Sequence, residues 1–235
     1  MNPATALVRM LASLHDDRGR IAVPGFYDDV TKLDTAEREA LAALPVSESD
    51  YQRETGVLIL AGEEGFSTVE RIGIRPTAEI NGLTSGYQGA GTKTVLPSVA
   101  SAKLTFRLVP NQKPDRALNL VEIHLQNVLP PGVEMEIVRG HGGMPYALDL
   151  KSPWCGAALR ALEQTFGRPP ALMREGGSIP IVQTFRELLG SDTLLLGLAA
   201  PDCKAHAPDE NFPIENFEAG IRLHQNLLHE LSRGA

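Results

Sequence analysis

Ala102-Lys103-Leu104-Thr105-Phe106-Arg107-Leu108-Val109 is the stretch that decides the fold. Leu104, Phe106 and Leu108 fall on one face and Lys103, Thr105 and Arg107 on the other, the two-residue period of a half-buried strand. Pro110 closes it. Downstream, Leu118, Val121 and Leu125 recur at helical spacing and predict a helix over about 114–128, and Val133–Val138 alternates as another strand. Upstream, Gly82, Gly86, Gly89 and Gly91 mark a glycine-rich loop, with a strand expected over 76–84 before it. Residues 3–15 read as a helix, with Leu7, Met10, Leu11 and Leu14 on one stripe and Gly19 beyond its end. The order helix, strand, strand, helix, strand lacks only one leading strand to be a ferredoxin-like βαββαβ sandwich. Residues 20–55 read as an elaborated loop with helices of its own, one beginning at Thr35.

Around Tyr146–Ser152 the pattern changes. Helix (153–166), strand (171–174), helix (180–189), strand (193–199) and helix (214–232) then alternate, an α/β layout with a parallel sheet whose loops at the strand carboxyl ends are the expected site positions. In the last helix Phe217, Ile221, Leu228 and Leu231 form an apolar stripe that includes His224, which reads as a core or edge residue.

Composition narrows the function. The 235 residues carry a formal charge of -7 and are 43% hydrophobic. That allows a sizeable core and argues against a nucleic-acid partner, whose phosphates need clustered Lys and Arg. No apolar run approaches the roughly 20 residues of a membrane span, and the first residues lack the charged leader and long apolar stretch of a signal peptide. Two isolated cysteines, Cys155 and Cys203, fit a reducing compartment. A cytoplasmic protein is expected.

Two loops carry the chemistry. In Arg174-Glu175-Gly176-Gly177-Ser178-Ile179-Pro180 the glycines permit close approach to the main chain, Ser178 can cap the next helix and Pro180 suits its first turn. Such a helix start favours an anion such as a small carboxylate; the other reading is a well-capped tight turn. In Ala205-His206-Ala207-Pro208-Asp209-Glu210-Asn211, which follows a buried-strand signature, His206 is either a metal ligand or a loop hydrogen-bonding residue, and Pro208 and Asn211 help to hold the loop. Zinc needs three or four donors; an independent zinc site built on Cys203 and His206 offers only two. His141, in Gly140-His141-Gly142-Gly143-Met144-Pro145, is either a ligand-binding or an exposed loop residue, and His124 gives no signal. Gly86–Thr94 mimics a phosphate-binding loop, but Thr92 separates Gly91 from Lys93 and a strand follows in place of a helix, so nucleotide binding is rejected.

Taken in order, Gly25-Phe26-Tyr27-Asp28-Asp29-Val30, Gly86-Tyr87-Gln88-Gly89, Lys93 through Ser98, Phe106 through Gln112, Arg174 through Pro180 and His206 through Glu210 resemble the dipeptidase branch of the dinuclear zinc peptidases of family M-twenty, which includes carnosine dipeptidases, succinyl-diaminopimelate desuccinylases and aminoacylases. The resemblance implies an α/β fold in which residues 1–148 are a lid or dimerisation domain, an incomplete ferredoxin-like βαββαβ unit without its first strand, and residues 149–235 are the C-terminal part of the catalytic domain. It implies that His206 is a metal ligand, that Arg107, His141, Gly176, Gly177 and Ser178 bind substrate, and that Thr94 reaches the partner subunit's site in a homodimer. The substrate would be a small peptide or N-acyl amino acid, and the cofactor two zinc ions. The family's other metal ligands and its general-base Glu precede the lid. Glu63-Glu64 does not match that base. The chain is therefore expected to be a C-terminal fragment of a hydrolase, inactive without a missing N-terminal part. A non-catalytic dimerisation or binding module derived from the family is the alternative.

Overall fold

A computed structural model of the chain describes residues 1–176 and 179–233. Its elements, in order, are α1 (Pro3–Ala12), α2 (Thr35–Ala42), α3 (Glu48–Thr55), α4 (Thr68–Ile74), β1 (Thr77–Ser85), β2 (Ala100–Arg107), α5 (Pro114–Asn127), α6 (Pro153–Phe166), α7 (Pro180–Leu189) and α8 (Ile214–Ser232). The mixed α/β class is as the sequence implies. The chain divides into two compact units. One comprises Met1–Gln52, Val57–Tyr146 and Met173–Gln183; the other comprises Arg53–Gly56, Ala147–Leu172 and Thr184–Ala235.

The first unit is built on an antiparallel hairpin in which β1 pairs with β2 from Thr77 opposite Arg107 to Ser85 opposite Ala100. Asn81 is the extra residue of a bulge between Ile80 and Gly82. The face bearing Ala78, Ala102, Leu104 and Phe106 packs on one apolar cluster with Met10, Leu11 and Leu14 of α1 and Ala117, Val121 and Leu125 of α5. The alternation of β2 and the stripes of both helices therefore meet as expected. His124, silent in the sequence, ties the two helices together: its Nε2 lies 2.9 Å from Ser13 Oγ. After β2 the chain turns through Asn111, whose φ is 76°. The buried Gln112 amide locks this turn, accepting from Val109 N–H at 3.0 Å and donating to Phe26 O at 2.8 Å. Capping boxes start α2, through Asp34 and Glu37, and α4, through Ser67 and Glu70. Glu48 pins α4 to the chain before it, accepting from Thr68 N at 2.9 Å and Thr68 Oγ1 at 2.6 Å.

In the second unit α6 packs on α8. Cys155, Ala157, Ala158 and Ala161 of α6 and Ala219 and Leu223 of α8 are buried. The buried Glu230 carboxylate accepts from Arg160 Nε at 2.6 Å and Gln164 Nε2 at 2.9 Å. These bonds, the Arg160 contact foremost, hold its carboxyl down at about 2.

Several sequence expectations need correction. The first helix ends at Ala12, not at residue 15: Ser13 Oγ turns back to Met10 O at 2.7 Å, and the Asp16 carboxylate takes the N–H groups of Arg18 and Arg20. The stretches Val133–Val138, 171–174 and 193–199 are not strands. Side-chain alternation describes which faces a segment offers, whereas a strand also needs a neighbour's N–H and C=O groups, and among the described residues none pairs with these stretches. Of the expected α8 stripe, Leu231 is half-buried, whereas Phe217, Ile221, Leu228 and His224 are exposed, with His224 Nδ1 2.7 Å from Gly220 O.

Candidate functional site

Arg107 ends β2 on its exposed face, where the alternation places it. Its guanidinium Nη1 donates to the carbonyl oxygen of Gly176. The basic strand residue and the glycine loop, 69 residues apart in sequence, are thereby joined in the first unit. A guanidinium carries five N–H donors in a fixed fork, so one bond to Gly176 is compatible with a carboxylate bound bidentately.

The loop can lie there because two glycines let backbone run against backbone. A Cβ on Gly176 would stand 2.6 Å from Ile72 O, and one on Gly73 would overlap the Arg174 carbonyl and stand 3.0 Å from its carbonyl carbon. The Arg174–Gly176 segment is thus seated on the last turn of α4. Glu37 of α2 holds the segment from the other side, pairing with Arg174 Nη2 at 2.8 Å. Sequence reasoning missed both Gly73 and Glu37. The signal for Gly73 was available: a glycine inside the short apolar helix Thr68-Val69-Glu70-Arg71-Ile72-Gly73-Ile74 points to close packing. Glu37 gave none beyond its capping role. Gly177 and Ser178 lie outside the described residues.

Thr94 is exposed in the loop that joins β1 to β2, beyond the Ser85–Ala100 end of the hairpin. Arg107 sits at the opposite end, opposite Thr77. The intervening strand, Ala100–Arg107, is about 23 Å long at ~3.3 Å per residue, so one chain does not bring these two residues together. His141 is exposed in its glycine loop, which runs past the start of α5: a Cβ on Gly142 would stand 3.0 Å from Pro114 Cβ.

His206 is exposed on a loop with an unusual backbone. Lys204, His206 and Asp209 have φ of 52°, 62° and 63°, a left-handed conformation uncommon for side-chain-bearing residues. Backbone bonds from Ala207 N to Lys204 O (2.9 Å) and Asn211 N to Cys203 O (2.9 Å) fold the loop, and Asn211 Nδ2 donates to Asp202 O at 3.0 Å. The role expected of Asn211 in holding the loop is seen. The imidazole is thus presented outward by a fixed turn. One imidazole falls short of the three or four donors a zinc ion takes, and among the described residues no group of three or more His, Cys, Asp or Glu could hold a metal. The donor set described does not by itself fit a metal pair.

Glu63 is engaged elsewhere. It forms a largely buried ion pair with Arg75 at 2.7 Å and accepts from Tyr27 Oη at 3.2 Å. The guanidinium groups of Arg20 and Arg75 stand over the Tyr27 ring, 4.4 and 4.7 Å from its centroid. Burial pushes the Tyr27 phenol above its ordinary value. This node fastens the loop before α4 to Tyr27.

Known proteins are similar to this chain in sequence and in fold. The family model described as peptidase family M20/M25/M40 matches residues 12–230. The Cys-Gly metallodipeptidase of Schizosaccharomyces pombe is 29% identical over 233 residues, 98% of this chain and 49% of the relative. The human Beta-Ala-His dipeptidase is 28% identical over 234 residues, 98% of this chain and 46% of the relative. Among solved structures, an M20 family metallo-carboxypeptidase from Sulfolobus solfataricus superposes with a TM-score of 0.85 at 30% identity, covering 97% of this chain and 52% of that one. Human carnosine dipeptidase 1 gives 0.83 at 28%, covering 99% and 50%. The chain spans about half the length of the curated relatives it matches.

Proposed function

This chain belongs to peptidase family M20/M25/M40, and from that premise we propose that it is the C-terminal part of a metal-dependent dipeptidase that hydrolyses peptide or amide bonds of small substrates. Residues 1–148 act as the lid and dimerisation domain and residues 149–235 as the closing part of the catalytic domain. The observation that carries this reading is the Arg107–Gly176 bond: a strand arginine and a glycine loop meet at one place and offer cationic N–H donors to a substrate carboxylate. His141 and the Gly176–Ser178 loop belong to the same substrate-binding role. Thr94, in the loop beyond the far end of the strand that Arg107 closes, serves the partner subunit's site in a homodimer.

His206 contributes one ligand to a zinc pair, which supplies polarisation of the scissile carbonyl when bound. The remaining donors and the base come from polypeptide other than the residues described, so no hydrolytic step is assigned to this chain's own side chains. They bind and orient; they do not cleave. The protein works in the cytoplasm and is inactive alone.

Titrating the full chain with zinc while assaying Cys-Gly and β-alanyl-histidine hydrolysis tests this. Weak uptake of at most one ion, lost in His206→Ala, and no turnover are expected. Two tightly held ions with turnover refute the proposal.

A further inference from the structure

We propose that Glu37 is a positioning residue for the substrate loop: through Arg174 it keeps the Gly176 carbonyl where Arg107 can hold it and still face a substrate carboxylate. The inference rests on the reading of Arg107 and Gly176 as a carboxylate site and adds what holds that site together.

The Arg174–Gly176 segment is stopped on one side and tied at two points. The stop is the last turn of α4. A Cβ on Gly73 would meet the Arg174 carbonyl, and one on Gly176 would stand 2.6 Å from Ile72 O. Such contacts forbid a closer approach, but each attracts only weakly and does little to resist lifting away. Among the described residues no backbone hydrogen bond joins Arg174–Gly176 to α4. The ties are polar. Arg107 Nη1 donates to Gly176 O at one end, and Arg174 Nη2 donates to Glu37 Oε1 at 2.8 Å at the other. Without the second tie, the Arg107 bond carries the segment alone.

Glu37 is a fixed hook. Its other oxygen, Oε2, accepts from Asp34 N at 3.3 Å, and its own N–H donates to Asp34 Oδ1 at 2.8 Å. The capping box of α2 thus orients the carboxylate and leaves Oε1 to Arg174. The next residue, Arg38, fastens α2 to α4. Its Nε lies 2.7 Å from Glu70 Oε1, on a side chain only 8% exposed, and its guanidinium stands 5.5 Å over the Phe66 ring. Leu41 of the same helix is buried. Helix α2 therefore grips α4 through Arg38 and the loop through Glu37. A side chain already held in place loses less freedom when it pairs.

The same pair decides which arginine faces the substrate. Arg174 is neutralised by Glu37. Arg107 is bonded to a neutral carbonyl, which leaves its charge for an anion.

Side-chain NMR of the isotopically labelled full chain tests this, with the Arg107 signals identified by their loss in Arg107→Lys. In the ligand-free chain the Arg107 Nη protons should be resolved, as in a guanidinium held by a bond. They should merge in Glu37→Gln, which keeps the capping box because its third position takes Gln as well as Glu. Arg174→Met reads the same pair from the other side should that variant not fold, and the double variant should be no worse than either single one. Glu39→Gln removes an exposed charge from the same helix and should change nothing. Merged signals in the unaltered chain, resolved signals in Glu37→Gln, or additive losses in the double variant overturn the proposal. Titration with N-acetylglycine should move the Arg107 signals, with an affinity about 2- to 5-fold weaker in Glu37→Gln; N-acetylglycinamide, which has no carboxylate, should not move them. Equal affinity with and without the Glu37 charge overturns the positioning role. No binding at all, with signals that still merge in Glu37→Gln, removes the carboxylate reading and keeps the hold of Glu37 on the loop.

Discussion

Replacing Gly73 by alanine should reverse the usual effect of that substitution. Inside a helix, glycine is about 0.5–1 kcal/mol worse than alanine, so propensity alone favours Gly73→Ala. The added methyl, however, would overlap the carbonyl oxygen of Arg174 and stand 3.0 Å from its carbonyl carbon and Cβ. Carbon atoms rest at about 3.5–4.0 Å, so α4 and the Arg174–Gly176 segment must part by about 0.5–1 Å. Overpacking that moves backbone costs about 1–3 kcal/mol. Near the middle of these ranges the net loss is about 1–2 kcal/mol, which lowers Tm by roughly 2–8 °C for a chain of this size. Gly156 of α6 is the control: its Cβ would meet only Arg160 Nη1, at 3.5 Å, and Gly156→Ala should gain about 0.5–1 kcal/mol. Thermal unfolding of both variants, followed by circular dichroism, reads the signs directly. A rise in Tm for Gly73→Ala equal to that of Gly156→Ala would refute the close approach, and with it the seating of the loop that Arg107 holds.

Other outcomes follow from the same contacts. The Glu230 carboxyl, held near 2 against an ordinary 4.5, contributes stability that is complete above about pH 4.5 and is lost as pH falls toward 2; acid unfolding followed by Trp154 fluorescence in α6 should flatten over that window in Glu230→Gln. Arg75→Met strands the Glu63 carboxylate, in a pair whose side chains are 12% and 10% exposed, and should cost about 3–5 kcal/mol in urea unfolding, with much of the loss recovered by adding Glu63→Gln. Asn211→Ala removes the side-chain bond to Asp202 O, worth about 0.5–1.5 kcal/mol, and should speed trypsin cleavage after Lys204, whereas unchanged cleavage would show that the backbone bonds alone set the loop.

The hairpin and its helices were legible because each carries its period within one segment: β2 alternates, and α1 and α5 present stripes that meet it. The meeting of Arg107 with Gly176 was legible only as two separate motifs; nothing local in either states that Gly73 clears the space between them. The misread elements share one cause. Val133–Val138 and 193–199 have strand composition, and the Phe217–Leu228 stripe has core composition, but composition records what a segment was selected to touch. Among the described residues the two stretches pair with no neighbouring strand. Apolar pattern marked that stripe as the core side of α8, whereas Ala219, Gly220 and Leu223 are buried there.

The separation of Thr94 from Arg107 along β2 makes the hairpin a ruler graduated in twos. Removing one residue from each strand shortens its reach by about 3.3 Å and turns every remaining side chain beyond the cut to the opposite face. Removing two from each restores the facing at twice that loss. The bulge at Asn81 is the place where an odd residue is already absorbed without that reversal. Length changes are therefore tolerated in even steps or at Asn81, and a hairpin altered elsewhere by a single residue would hold its tip at nearly the right height while showing the core its polar side.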